Sequence, residues 1–291
     1  MLKALILFIT LLLINGSTAL AAQEITVSGM VELLNSIGSD RTIYLNPGEY
    51  KLDDALGFTS RNGQNVFGRS MQIADVNNLK IIGLDPDKTK LLSPYSDSDV
   101  LIIKNCNNIE LQNFSIGHVQ RPQGCEGDAL SIELSQSVKL DHMDVYGCGE
   151  DGLTLRNVDQ LEVKDSYIHN CTYNLLDMDT VSYSKFINTR FLHDGSFSVM
   201  AAKGHIQNLT FQNCQFVIDP QRKVSASHKG TEAEYAAKYS LMAERFSKKW
   251  PLAGEVRFKD CEFDQVNPVE IEALKNQGVA FTECKLKGQD I

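Results

Sequence analysis

Asp151, Arg156, Asp177 and Asp179 are the residues in this chain whose types and spacing could do chemistry together. Asp177 and Asp179 stand two apart in Leu-Asp-Met-Asp, so on an extended strand they share one face. Thr154 and Arg156 occupy the same two positions 23 residues earlier, in Leu-Thr-Leu-Arg. If a 23-residue step returns the chain to the neighbouring strand, the two pairs lie ~4.8 Å apart. Asp151 leads into the earlier strand. Three carboxylates and a guanidinium then share a small area, where they shift one another's pKa values and can hold a divalent cation such as Ca²⁺. The residues alone leave the metal and its ligands open.

The elements that must position this group are visible as a repeat. Cys125, Cys148 and Cys171 are spaced by 23 residues, as are Leu130, Leu153 and Leu176, and Ile132, Leu155 and Met178. A constant step of this size marks a stacked-repeat architecture. Within each copy the apolar residues alternate in triplets, Leu-Thr-Leu, Leu-Glu-Val and Ser-Tyr-Ile in the second one. Period-two alternation turns the outer members inward and the middle one outward. Three short strands per copy make one coil of a parallel β-helix, an all-β solenoid. Aligning second strands at Leu79, Ile109, Val138, Leu161, Ser184, Leu209, Val256 and Val279 gives about eight coils. Four residues after each start stand Gly83, Asn113, His142, Asp165, Asn188, Asn213, Asp260 and Glu283, rich in residues that tolerate left-handed backbone. These are corner formers, which removes Asp165, Asn188 and Asp260 from any site.

The chain has 291 residues and a formal charge of −9. That balance argues against nucleic acid as partner, since a basic face is expected there. Lys3, the apolar run 4–14 and Ala19-Leu20-Ala21 have the form of a signal peptide over residues 1–21, removed on export. The mature chain, 22–291, is expected as one domain, secreted or periplasmic, monomeric and without a membrane span. Ser28–Ile37 reads as an amphipathic helix, capped by Ser28 and burying Val31, Leu34 and Ile37, that covers the first coil. Residues 58–70 read as a loop. An insertion near 220–253 carries a second helix, with Tyr235, Tyr239, Met242, Phe246 and Trp250 on one face. Of the seven Cys, Cys214, Cys261 and Cys284 fall at inward positions and are expected as a buried thiol stack. Cys125, Cys148 and Cys171 lie in turns, where one bridge, 125–148 or 148–171, can form.

The 23-residue coils, the Asn-rich corner and the leading helix followed by TIYLNPGEY resemble the right-handed parallel β-helix proteins of the pectate-lyase-like superfamily. The resemblance covers about residues 25–290 and implies the fold, with a polysaccharide as partner. It also implies a groove along the first strand of each coil, here 101–103, 130–132, 153–155, 176–178 and 199–201, and the loops feeding them. Ile102, Ser131, Thr154, Asp177 and Met200 then point outward. His118, Glu133, His169, Tyr173 and His193 are placed beside the groove as substrate-binding residues.

Lyase chemistry would use Arg156 as base, with carboxylates on Ca²⁺. Hydrolase chemistry would use Asp151 with Asp177 or Asp179 as the two carboxyl groups. The Asn-Thr-Asp and Arg-Ile-Lys triplets of polygalacturonases and the Asp-Pro-His-Asp motif of uronan epimerases are absent. Two alternatives stand beside catalysis. The protein can be a non-catalytic glycan-binding or scaffold protein, and Glu133, Arg156 and Asp179 can be a charge ladder that stabilises neighbouring strands.

Overall fold

The computed structural model describes residues 22–55, 66–67, 69–119, 126–147, 150–194, 198–219, 241 and 255–291. The expected signal peptide, most of the 58–70 loop, the helix of the insertion, Cys125 and Cys148 lie outside these residues.

The chain winds as a parallel β-helix. The 23-residue step is the stacking register: Leu130 pairs with Leu153 and Leu153 with Leu176, while Val138 pairs with Leu161. First and second strands run on as single bent strands in the central coils, Leu130–Asp141 and Leu153–Lys164. The third strands, from Gly48–Lys51 to Lys285–Leu286, form a separate sheet. All eight expected second-strand starts fall in one column. Two earlier strands, Gln23–Val27 and Arg41–Leu45, extend it at the N-terminal end. A helix and a long loop interrupt the sequence period there, so it reaches neither, although RTIYL ahead of its Pro-Gly turn reads as a strand by itself and is one.

Packing follows from the alternation. Leu153, Leu155, Leu161 and Val163 are all buried, as their positions predict. Further along, inward Phe residues form two stacks. Phe186, Phe211, Phe258 and Phe281 sit with ring centroids 4.9–5.0 Å apart. Phe191, Phe216 and Phe263 follow at 4.9 and 5.1 Å. The strand spacing sets this distance, and near-parallel rings at that separation are a favourable aromatic geometry. Cys214, Cys261 and Cys284 are buried free thiols, each donating to a carbonyl of the preceding coil, Phe186, Phe211 and Phe258 respectively. Cys171 is also a buried free thiol.

The corner residues behave as their types suggest. Asn113, His142, Asp165, Asn188, Asn213, Asp260 and Glu283 all have φ between 48° and 60°. Asn188 donates to Asp165, and Asn213 to Asn188, along the axis. A second left-handed column precedes the second strands at Asp40, Asn78, Asn108, Ser137, Gln160, Tyr183 and Asn208. Its mixed side chains hide it from the composition.

The first helix, α1 (Met30–Ser36), covers the N-terminal end. It buries Met30, Leu33 and Leu34, leaving Val31 exposed, because a helix that starts at Met30 turns that face to the core. Gly29, not Ser28, is the N-cap; Ser28 instead donates its backbone N–H to the Glu32 carboxylate at 2.7 Å. A further helix, α2 (Pro268–Asn276), is capped by Asn267, whose side chain accepts from the Val269 N–H. The Asn-Pro pair is a legible start signal.

Candidate functional site

The outward positions of the first strands carry an ordered charge column. Lys104, Glu133, Arg156, Asp179 and Lys203 are successive partners in register, with the sign alternating at each step. Lys104 pairs with Glu133 at 2.9 Å. Arg156 does not complete a pair with Asp179. Its guanidinium turns to the Asp177 carboxylate, and also donates to the Asp177 carbonyl at 3.2 Å and to the Leu155 carbonyl at 3.1 Å. Lys203 Nζ stands 3.9 Å from the same carboxylate. Asp179 accepts from the Thr180 hydroxyl at 3.2 Å and lies against Gly204. Gly204 has φ +67°, and a Cβ there would stand 2.2 Å from Asp179 Oδ1, so a side chain at 204 would evict this carboxylate.

Lys203 escapes the sequence pattern because one of the two residues added in this coil falls before Met200. Met200, not Val199, pairs with Leu176, and the ladder shifts register between Asp179 and Val181. Met200 is therefore inward and fully buried, and Ala201 takes the outward place. The second-strand starts Ser184 and Leu209 stand 25 apart, so the alignment shows two added residues but not that one precedes Met200 and the other forms the bulge.

Asp151 belongs to a different column. Asp99, Asp128, Asp151 and Asn174 stack at the turn into the first strands, and each carboxylate accepts the backbone N–H of the next rung. The distances are 2.9 Å for Asp128 to Asp99, 3.1 Å for Asp151 to Asp128 and 2.9 Å for Asn174 to Asp151. The Asn174 amide adds a second bond to Asp151 at 2.8 Å. Burial pushes all three carboxyl groups up, Asp128 to about 7 and Asp151 to about 6. For Asp128 the charges of Asp99 and Asp151 add to the rise. For Asp151 the Asn174 bonds oppose it, while Asp177 raises and Arg156 lowers. Asp151 thus senses the Arg156–Asp177 pair. Ser131 and Thr154 are outward in register yet only 2% and 4% exposed. The Asp128 carboxylate faces the Thr154 hydroxyl.

The expected binding residues divide. Glu133 is on the first-strand face, in its pair with Lys104. Tyr173 is in the turn feeding it, with its N–H bonded to the Glu150 carbonyl at 2.8 Å. The three His residues are on third strands. His118 and His193 end such strands and are buried at 1% and 0% exposure. His118 Nε2 bonds the Ser98 carbonyl at 2.9 Å, and burial holds its pKa below the usual value. His169 lies on the outer third-strand face, bonded to Asp144 at 2.8 Å and stacked on Tyr167. Turn composition suggests surface loops for all three, but the strands run on to include them.

For a metal, the described residues converge elsewhere. Ligand atoms of Asp141, His142 and Asp165 lie within 4.8 Å of one another at the second corner. His142 bonds Asp141 at 2.8 Å and Lys164 stands 3.1 Å from Asp165, so the corner ladder and a cation already engage this group. A Ca²⁺ ion at Asp177 would compete with Arg156 and Lys203 for the same oxygens.

Stacked parallel coils, an Asn-rich corner and an outward charge column define a solenoid of the β-helix class. The family model described as right-handed β-helix region matches residues 65–235, and the chain belongs to that family. Similar solved structures include a pectin methylesterase from Aspergillus niger, 11% identical over 94% of this chain and 88% of that one, TM-score 0.56. The A-module of a mannuronan C-5 epimerase from Azotobacter vinelandii is 10% identical over 89% and 69%, TM-score 0.54. The pectate lyase Pel9A is 9% identical over 94% and 80%, TM-score 0.51. At these identities the likeness is one of fold. A search of curated protein sequences finds no match. No helix among the described residues is long and apolar enough to cross a membrane.

Proposed function

We propose that this protein is exported and acts on a polysaccharide laid along its first-strand face. The observation that carries this reading is the axial strip Lys104–Glu133 and Arg156–Asp177–Lys203, which sets paired donors and acceptors along the rod at successive coils. Hydroxyl groups of a sugar chain can take both roles. The fold's likeness to a pectin methylesterase, a mannuronan epimerase and a pectate lyase supports the same ligand class.

Of the two chemistries, carboxyl-based hydrolysis is better supported than elimination with an arginine base. Arg156 is tied to one carboxylate and two carbonyls, which holds its proton. Asp151, raised to about 6, keeps its proton nearer to neutral pH, as a general acid needs. Asp177 is the carboxylate whose charge acts on it. A second reading, glycan binding without turnover, is favoured by one observation: Asp151 Oδ1 already accepts two bonds from Asn174.

The test is a panel of uronans and neutral glycans, assayed for new reducing ends and for unsaturated products, with wild type, Asp151→Asn and Asp177→Asn. Reducing ends lost in both variants support hydrolysis at this site. Unsaturated products support elimination and overturn the acid role of Asp151. Co-sedimentation with polymer but no products supports binding alone, and no interaction with any polymer rejects the proposal.

A further inference from the structure

The outer face of the third-strand sheet carries a second set of features that the first-strand site does not use. A cleft of about 450 Å³ lies there, lined by Glu49, Lys51, Lys90, Leu92, Val119 and Tyr146 among others. That volume is in the range of small-ligand sites, roughly 300–1,000 Å³. The four strands beneath it, Gly48–Lys51, Thr89–Ser93, Ser115–His118 and Asp144–Tyr146, stack in that order. Three strand steps give it a length of about 14 Å, enough for a short oligosaccharide rather than a single small ion.

Its floor depends on one glycine. Gly117 pairs in register with Tyr146, and a Cβ at 117 would stand 2.6 Å from Tyr146 Cε2. Only a residue without a side chain lets the Tyr146 ring lie down over the sheet. The aromatic surface then continues. Tyr146 stacks on His169 at 5.5 Å, and His169 on Tyr167 at 4.0 Å. The Arg190 guanidinium stands 5.4 Å from the centre of the Tyr167 ring. Aromatic rings with a polar rim offer apolar contact and hydrogen bonds together, which is what a pyranose ring requires.

The charges decide the kind of sugar. Glu49, Lys51, Asp53 and Lys90 line the cleft, and Asp144 and Arg190 lie on the strands that continue it. Glu49 and Lys51 pair at 2.8 Å, and Asp144 is held by His169 and by the Ser115 hydroxyl. The strip is balanced on a chain of net charge −9. A polyanion finds no surplus of cations here and is repelled by the whole molecule. Hydroxyl groups can use the lysines as donors and the carboxylates as acceptors.

We infer that this third-strand cleft is a second glycan-binding surface, which takes an uncharged oligosaccharide across Tyr146. The inference rests on the polysaccharide reading for its ligand class but not for its location.

The test uses the full mature chain on an array of neutral trisaccharides, cellotriose, maltotriose, xylotriose and mannotriose, with trigalacturonate as the anionic probe. The tightest neutral binder is then titrated calorimetrically. Tyr146→Ala should weaken it roughly ten-fold or more, as loss of an aromatic anchor does. Lys90→Gln, on the rim, should weaken it too and serves if Tyr146→Ala does not fold. Lys139→Gln, exposed on a second strand and outside both surfaces, should leave the affinity within about two-fold, well under 1 kcal/mol. Binding of trigalacturonate alone, no binding of any neutral probe, or full affinity in both Tyr146→Ala and Lys90→Gln overturns the inference. Loss in Asp177→Asn with Tyr146→Ala silent also overturns it, yet leaves the first-strand proposal standing. That proposal fails by its own polymer assay.

Discussion

Arg156 reaches diagonally to Asp177 rather than straight across to Asp179, its partner in register. The diagonal choice leaves Asp179 to Thr180 and draws Lys203 toward Asp177 from the far side. One carboxylate thereby holds two cations from neighbouring coils, and the strip has a centre.

Asp177→Asn removes that centre's charge while keeping its size. The Arg156 guanidinium then keeps two carbonyls but loses its carboxylate. Stability should fall by about 1.5–3 kcal/mol, the range for a hydrogen bond to a charged group. Turnover or polymer binding should fall by roughly ten-fold or more if the first-strand face is the site. A folded variant with full glycan behaviour would show that the strip is only a stabilising ladder.

Much of this arrangement is legible in the sequence because the fold repeats. A 23-residue step fixes which residues meet, so Glu133, Arg156 and Asp179 align without any long-range guess. Two things resist. The diagonal pairing depends on side-chain reach, which register does not encode. The added residue before Met200 shifts one strand by one place, and period-two alternation then exchanges inside for outside. His118 and His193 escape for a third reason, since a strand that runs one residue further turns a surface His into a buried one.

The core register is tested by Leu155→Ala. Leu155 is fully buried in the central coil. Truncation should cost about 2–5 kcal/mol in denaturant melts, since coils stacked above and below limit collapse of the cavity. A change near zero would contradict the inward assignment.

The thiol column gives a chemical check. Cys214, Cys261 and Cys284 are buried, and each thiol donates to a backbone carbonyl. Contact with Cys214 and burial push Cys261 up to about 12, and contact with Cys261 and burial raise Cys284 further, which suppresses the thiolate at both; contact with Cys261 lowers Cys214, which is shielded by its burial instead. Labelling by an aromatic disulfide reagent at pH 8, followed by peptide mass mapping, should leave these three unmodified in the native protein. All three should react on denaturation. Rapid native labelling of Cys261 or Cys284 would mean that the C-terminal coils open readily.

The acidic column predicts an unusual pH dependence. Asp128 and Asp151 titrate near 7 and 6 when folded, against ordinary carboxylate values when unfolded. Raised carboxyl values mean that the folded state holds these protons more tightly. Their favourable contribution is fully present below about pH 4 and is lost as pH rises to about 7, and each ten-fold gain in proton affinity on folding is worth ~1.4 kcal/mol. The next rung shows how to remove the effect, because Asn174 occupies the same column as an amide and bonds its neighbour well. Asp128→Asn keeps an oxygen to accept the Asp151 N–H and carries no charge at any pH. The variant should therefore melt at a higher temperature than wild type at pH 8, with the difference shrinking toward pH 4. Melting curves across that range measure it directly. A variant destabilised equally at both pH values would show that the Asp128 carboxyl is not the source of the dependence and that its role is geometric alone.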